Sequence, residues 1–149
     1  MKQIRSNTFE TNSSSVHTLS IDASGREPSE FGLNKDGAIK VDFGQFDSNF
    51  EIFNTQYDKL SYLMTCLYYI EGYPDDMEDI YASYEFKQIR DVVCEYAGAN
   101  DIVILNKEEP YIDHQSVPYN YIEIIDIYDD DAIIDFVFNK YISLKTYSD

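Results

Sequence analysis

Hydrophobic positions in the middle of the chain repeat with the period of an α-helix. Residues 55–71 carry apolar side chains three and four positions apart, so one helix is predicted there, ending at Gly72. A second helix is predicted over residues 83–97, with Gly98 as its C-terminal stop. The acidic run 129–131 is typical of the start of a further helix, because carboxylates interact favourably with the unpaired N–H groups of a helix N-terminus.

Four other segments have patterns that favour β-strands. Polar and apolar side chains alternate in residues 13–21 and 38–43, as they do in a strand with one buried face. The continuous apolar run within residues 101–105 predicts a buried strand, and residues 141–147 predict a last one. Residues 120–128 leave two possibilities open, since their apolar spacing fits a helix while their β-branched content favours a strand.

These elements together predict an α+β fold, in which a small mixed β-sheet is covered by two or three helices. A chain of 149 residues suits a single domain over residues 1–149. Its two cysteines, Cys66 and Cys94, lie in predicted helices among apolar neighbours, where a free thiol behaves as a small hydrophobe. The sequence has no signal-peptide pattern and no apolar stretch of membrane-spanning length, so a cytoplasmic protein without a membrane partner is expected.

The charge of the chain is strongly negative and unevenly distributed. The net charge is −17, and residues 71–149 contain 19 acids and five bases, whereas residues 1–70 contain nine and six. A field of this sign repels DNA, RNA and anionic membranes and attracts cations or basic protein surfaces. Direct nucleic-acid binding through a basic groove is therefore not expected. The same acidity is equally compatible with a simple role in solubility.

Both histidines of the chain lie in polar segments that offer catalytic groups. His17 closes a polar run that begins at Glu10, and His114 lies between Asp113 and Ser116 in a long predicted loop. If the two segments met, these side chains could bind a divalent metal or share acid–base chemistry. Capping of turns by Asp113 and Ser116, with His17 packed on a sheet face, is the structural alternative.

Two runs of acidic residues are the candidate binding residues. Their members are Asp75, Asp76, Glu78, Asp79, Asp129, Asp130 and Asp131. The second run lacks the glycine that a calcium-binding EF-hand loop requires. Its acids are better explained as residues at the start of a helix. The chain has neither a glycine-rich phosphate loop nor the cysteine spacing of a structural zinc site, and no cofactor is expected. Carboxylates on a rigid helical face can instead imitate the phosphates of a nucleic acid and occupy a basic protein surface.

Three blocks of the sequence resemble a family of small uncharacterised proteins from phages and mobile elements of low-GC Gram-positive bacteria. These blocks are FETNSSSVH at residues 9–17, YIDHQS at residues 111–116 and DFVFNKY at residues 135–141. The family has no established activity, so the resemblance implies a setting and assigns no residue a role. Small acidic phage products often inhibit host defence nucleases, which favours the mimic hypothesis.

The interpretation that follows is an acidic interaction protein of phage or mobile-element type, whose partner is the basic surface of a nucleic-acid-handling protein. The first alternative is a small hydrolase or nuclease-like enzyme that uses Glu10, His17, Asp113, His114 and Ser116. It draws support from the resemblance, because the first two blocks contain those residues. The second alternative is a structural or assembly protein with an apolar face supplied by Tyr62, Tyr68 and Tyr69.

Overall fold

The computed structural model describes residues 25–47, 51–113 and 127–145, together with the backbone of residues 7–10. Four helices and seven strands lie in this part of the chain. Their order is β1 (Asn7–Glu10), β2 (Ala38–Val41), β3 (Gln45–Phe46), β4 (Ile52–Phe53), α1 (Gln56–Ile70), α2 (Met77–Tyr81), α3 (Tyr84–Ala97), β5 (Asp101–Ile104), β6 (Tyr111–Ile112), α4 (Asp130–Phe138) and β7 (Ile142–Lys145).

The described strands form three small sheets. The first is mixed: β7 lies in its centre, parallel to β1 and antiparallel to β4. In the other two, β2 pairs in parallel with β5, and β3 pairs in parallel with β6. The second and third sheets adjoin along the chain, because Leu105 donates to the carbonyl of Val41 and Tyr111 donates to that of Gly44. Asp42 fixes the loop inserted between them, since its carboxylate accepts from the N–H groups of Lys107 and Glu108.

Local capping determines where the helices begin and end. The side chains of Thr55 and Ser83 accept from backbone N–H groups in the first turns of α1 and α3. Gly98 ends α3 with a φ of 70°, in the left-handed region that glycine enters without steric strain. Gly72 has a φ of 80° just beyond α1 and reverses the chain there.

The core lies between α1, α3, α4 and the strands. Tyr62 of α1 is 1% exposed, and its ring contacts Phe46 of β3 edge to face. Its hydroxyl is buried without a well-aligned hydrogen-bond partner, although the Cys66 thiol one turn later lies near enough to influence its ionisation. The proposal of an apolar face containing Tyr62 is therefore wrong for this residue, because α1 turns it into the core. Tyr68 and Tyr69 are half-buried.

Two basic side chains hold the C-terminal end of α4 and the start of β7. The Arg26 guanidinium donates to both carboxylate oxygens of Asp135, at 2.7 and 3.0 Å, which raises the pKa of Arg26. The Lys59 ammonium, in a side chain buried to 1% exposure, donates to the carbonyls of Asn139 (3.1 Å) and Ile142 (3.0 Å). Burial lowers the pKa of Lys59 to about 8, and the charge of Glu30 opposes this shift. We call the set formed by Arg26, Lys59, Asp135 and Asn139 the α4–β7 junction.

The α+β prediction is confirmed, although the described strands are divided among three sheets and accompanied by four helices. The helices predicted over residues 55–71 and 83–97 correspond to α1 and α3, and the acidic run 129–131 begins α4. The predicted strands at 38–43, 101–105 and 141–147 correspond to β2, β5 and β7. The strand predicted over residues 13–21 lies outside the described residues, as does most of the ambiguous stretch 120–128.

Candidate interaction surface

Helices α3 and α4 run parallel to each other. Gln88 near the start of α3 donates to Asp130 at the start of α4, over 2.9 Å. At the other end, the ring of Tyr96 stacks on that of Phe138, with centroids 4.2 Å apart. The N-termini of the two helices therefore lie side by side, which places the positive ends of two helix dipoles next to each other.

Carboxylates at the helix starts compensate part of this positive potential. Asp76 caps α2 and Asp129 caps α4, and each side chain accepts an N–H bond of 3.0 Å two residues ahead. The seven acids predicted from the sequence to bind a partner are all exposed. Asp131 also forms an ion pair of 3.3 Å with Arg26. Two of the seven thus have capping roles, and a third is partly neutralised.

A second group, which shares Asp79 with the first, contains one carboxylate that no helix start explains. Glu71 lies at the C-cap of α1, where the helix dipole disfavours a negative charge. Glu85 in the first turn of α3 and Asp79 in the first turn of α2 act on it electrostatically. The pKa of Glu71 is raised above 4.5 by partial burial first, and then by the charges of Glu85 and Asp79 and by a hydrogen bond with Glu85. We call these three residues the acidic cluster.

Few basic residues lie in the sequence segment that contains most of these carboxylates. Residues 71–101 contain nine acids but only Lys87 and Arg90 as bases. The Arg90 guanidinium donates to its neighbour Asp91 at 3.0 Å and lies 5.9 Å from the ring centroid of Phe86. None of the four described helices has a basic residue in its last turn, where a cation would be most favourable.

Exposed tyrosines accompany the carboxylates. Tyr84 and Tyr128 stack with centroids 5.7 Å apart and stay 59% and 56% exposed, beside the joined starts of α3 and α4. Tyr73, 58% exposed, contacts the rings of Tyr68 and Tyr69 edge to face. It lies two residues after Glu71 and has a φ of 58°, a strained conformation for a bulky side chain. Exposed tyrosine rings of this kind add contact area to protein interfaces at low entropic cost.

The catalytic candidates are only partly placed by the structure. Asp113 directly follows β6, and its N–H donates to the carbonyl of Phe46. The backbone of Glu10 ends β1 opposite Lys145 of β7. His17, His114 and Ser116 lie outside the described residues, so the meeting of the two histidine segments stays a prediction. Within ranges 25–47, 51–113 and 127–145, no three His, Cys, Asp or Glu side chains are grouped as metal ligands would be.

Both cysteines are buried thiols, as their apolar neighbours in the sequence predict. Burial raises the pKa of Cys66 to about 12 and that of Cys94 to about 11, so both are protonated at neutral pH. Within the acidic cluster, sequence reasoning identified Asp79 and missed Glu71 and Glu85, and it also missed the burial of Lys59. These interactions join different elements, and the spacing within one segment carries no signal of them.

Comparisons with protein-family models, with curated proteins and with solved structures find no match to this chain. In the described part of the chain, none of the helices has the length and apolarity needed to cross a lipid bilayer. The geometry of the surface itself is therefore what bears on function.

Proposed function

We propose that this protein is an acidic interaction protein of phage or mobile-element type. Its carboxylate-rich surface occupies the basic face of a nucleic-acid-handling protein and so acts as a nucleic-acid mimic. The observation that carries the proposal is the set of carboxylates, most of them exposed, at the starts of α2, α3 and α4, to which Glu71 adds a charge that Glu85 and Asp79 repel. A partner cation would relieve that repulsion on binding.

The favourable position of acids at helix starts accounts for Asp79 and Glu85 but not for Glu71. Asp76 and Asp129 accept backbone N–H bonds at helix starts, where a carboxylate is stabilising. Glu71 lies at the opposite end of a helix, where a carboxylate is destabilising. Charges that weaken the free protein are understandable if they strengthen a complex.

The tyrosines support a protein partner in particular. Tyr73, Tyr84 and Tyr128 are exposed near the carboxylates, and aromatic side chains are enriched in the centres of protein interfaces. The strongly negative net charge of −17 favours rapid encounter with a basic partner and disfavours encounter with nucleic acid itself. The mobile-element setting comes from the resemblance of the three sequence blocks alone.

A pull-down from a lysate of a low-GC Gram-positive host, eluted in steps of increasing salt, tests the proposal. We expect a basic nucleic-acid enzyme to be retained at low salt and released as salt screens the contact. The variant Glu71→Gln/Asp79→Asn/Glu85→Gln should release it at lower salt than the unmodified chain.

The control variant Asp36→Asn/Glu108→Gln/Glu109→Gln changes the net charge equally at exposed positions outside the cluster. It should elute like the unmodified chain. If the two variants lost binding equally, the loss would reflect net charge and not the position of the cluster. Retention of the partner that does not depend on salt would contradict the proposal.

A further inference from the structure

The amine of Lys59 lies at a small cavity beside the α4–β7 junction. The cavity has a volume of about 210 Å³, and its lining includes Lys59, Glu30 and Asn139. The latter two residues both act on the charged end of the lysine, since the carbonyl of Asn139 accepts from Nζ at 3.1 Å and the charge of Glu30 acts on the ammonium. These contacts indicate that the Nζ end of Lys59 is at the wall of the cavity.

Two backbone carbonyls leave one position on this nitrogen open. Nζ donates to the carbonyls of Asn139 and Ile142, and no other hydrogen-bond partner of Nζ is found among the residues that the structure describes. A neutral amine has two N–H groups and one lone pair. In that form, the two carbonyls satisfy both N–H groups of Lys59, and its lone pair is left free to react.

The neutral form of Lys59 is populated near neutral pH. Burial lowers its pKa to about 8, so roughly one molecule in ten carries the neutral amine at pH 7. An unperturbed lysine has a pKa near 10.4 and is neutral in about one molecule in two thousand at the same pH. Because the neutral amine is the nucleophilic form, a desolvated lysine of this kind is suited to addition to carbonyl compounds.

The charges at the cavity select the class of carbonyl compound. An iminium ion keeps the positive charge of the lysine and one N–H donor, which suits the two carbonyl oxygens and the nearby Glu30. An amide would lose that charge, and a carbamate would reverse it. Glu27 and Lys140 also line the cavity and form an ion pair of 3.5 Å, so the wall charges balance and favour an uncharged ligand. The volume is below the roughly 300 Å³ at which drug-sized pockets begin, so the ligand must be small.

We propose that Lys59 is a covalent binding site for a small, uncharged aldehyde or ketone. The lone pair of Nζ forms a bond to the carbonyl carbon, and a proton passes from the nitrogen to the carbonyl oxygen, which gives a carbinolamine. The hydroxyl of this adduct takes up one proton and leaves as water, and the nitrogen becomes the iminium ion. Hydrolysis reverses both steps. The inference is independent of the proposed function, because it uses no residue of the acidic cluster.

Reductive trapping of the full chain with acetaldehyde at pH 7 tests the site. Cyanoborohydride in excess supplies the hydride that reduces the iminium ion to an ethylamine, which peptide mass spectrometry assigns to individual lysines. We expect the initial rate of ethylation at Lys59 to be about tenfold that at the exposed Lys87, because the larger neutral fraction outweighs the restricted access. An aldehyde attached to a polymer is too large for the cavity and should label Lys87 but not Lys59.

Two controls separate the cavity from the general reactivity of lysine. Unfolding in urea should remove the advantage of Lys59 over Lys87, since both side chains are then in solvent. Asn54→Trp adds a large side chain at an exposed position that lines the cavity, and it should slow ethylation of Lys59 but not of Lys87. Thermal melting verifies that this variant is folded.

Three results would overturn the proposal. The first is ethylation of Lys59 in the folded chain that is no faster than that of Lys87. The second is labelling of Lys59 by the polymer-borne aldehyde, and the third is an Asn54→Trp variant in which Lys59 reacts as fast as in the unmodified chain.

Discussion

Charged side chains have favourable partners in the α4–β7 junction, whereas in the acidic cluster they are near like charges. In the junction, the carboxylate of Asp135 is bound by Arg26, and the ammonium of Lys59 is bound by two backbone carbonyls. In the cluster, Glu71 faces two further carboxylates. The junction uses its charges to hold α4 against β7, whereas in the cluster a hydrogen bond between Glu71 and Glu85 is set against the repulsion of like charges. The comparison distinguishes charges that stabilise the fold from charges that a partner could bind.

Removal of the Asp135 carboxylate should have the largest effect on stability. Asp135→Ala removes both acceptor oxygens of the Arg26 guanidinium, which keeps only its contact of 3.3 Å with the exposed Asp131, and it removes the acceptor of one Asn139 hydrogen bond. We expect the free energy of unfolding, measured in urea, to fall by about 2–3 kcal/mol.

Asp131→Ala is the matched control, because Asp131 pairs with the same arginine but has a side chain 75% exposed, against 12% for Asp135. Its loss should be below about 1 kcal/mol. Equal losses in the two variants would show that burial does not distinguish the two ion pairs.

Lys59 should make stability rise with pH. Its pKa is about 8 in the folded protein and 10.5 without the protein environment, so the unfolded chain binds more protons between these values. The unfavourable burial of the ammonium is present in full below pH 8 and is relieved as pH rises from 8 to 10.5. Relative to Lys59→Met, the unmodified chain should gain about 1 kcal/mol between pH 7 and 9 in urea unfolding.

Comparison with Lys59→Met is needed because the buried thiols oppose this trend. The folded-state pKa values of Cys66 and Cys94 are raised to about 12 and 11 from 9.0, so their ionisation in the unfolded chain lowers stability above pH 9. The difference between the two proteins cancels the contribution of the thiols. A difference that stays constant from pH 7 to 9 would mean that Lys59 does not titrate in this range.

Neutralising Glu71 should change the free energy of unfolding least. It should raise this free energy, whereas removal of the Asp135 carboxylate lowers it. Because the folded-state pKa of Glu71 is raised above 4.5, its contribution to stability is full at acidic pH and is lost as pH rises through the folded-state pKa. Glu71→Gln should therefore stabilise the protein at pH 7 by about 0.3 kcal/mol, since Glu71 is only partly buried and solvent screens the repulsion.

Thermal melts at low and high salt measure this gain, which should shrink as salt rises. Glu108→Gln, at an exposed loop position, should leave stability nearly unchanged. A destabilised Glu71→Gln variant would mean that the glutamate has a favourable structural contact and would weaken the comparison with the junction.

Local patterns were sufficient to predict α1, α3 and the start of α4. Apolar spacing, capping residues such as Ser83 and the stop at Gly98 act within a few residues of one another, so they are visible in the sequence. The same reasoning identified the seven acids as exposed. It also placed Glu71 at the end of one predicted helix and residues 129–131 at the start of another, but it could not predict that Glu85 and Asp79 act on Glu71, because that depends on packing between helices.

The sequence by itself determined the α+β class, the main helices and the negative charge of the C-terminal half. Only the tertiary structure decided which charges are satisfied. Lys59 precedes Leu60 in a helix, and its burial arises from carbonyls 80 and 83 residues away along the chain. The packing of α4 beside α3 likewise joins residues distant in the sequence, as the Gln88–Asp130 hydrogen bond and the stacking of Tyr96 on Phe138 show. Such contacts depend on long-range packing, whereas helix propensity and charge are properties of each residue and its immediate neighbours.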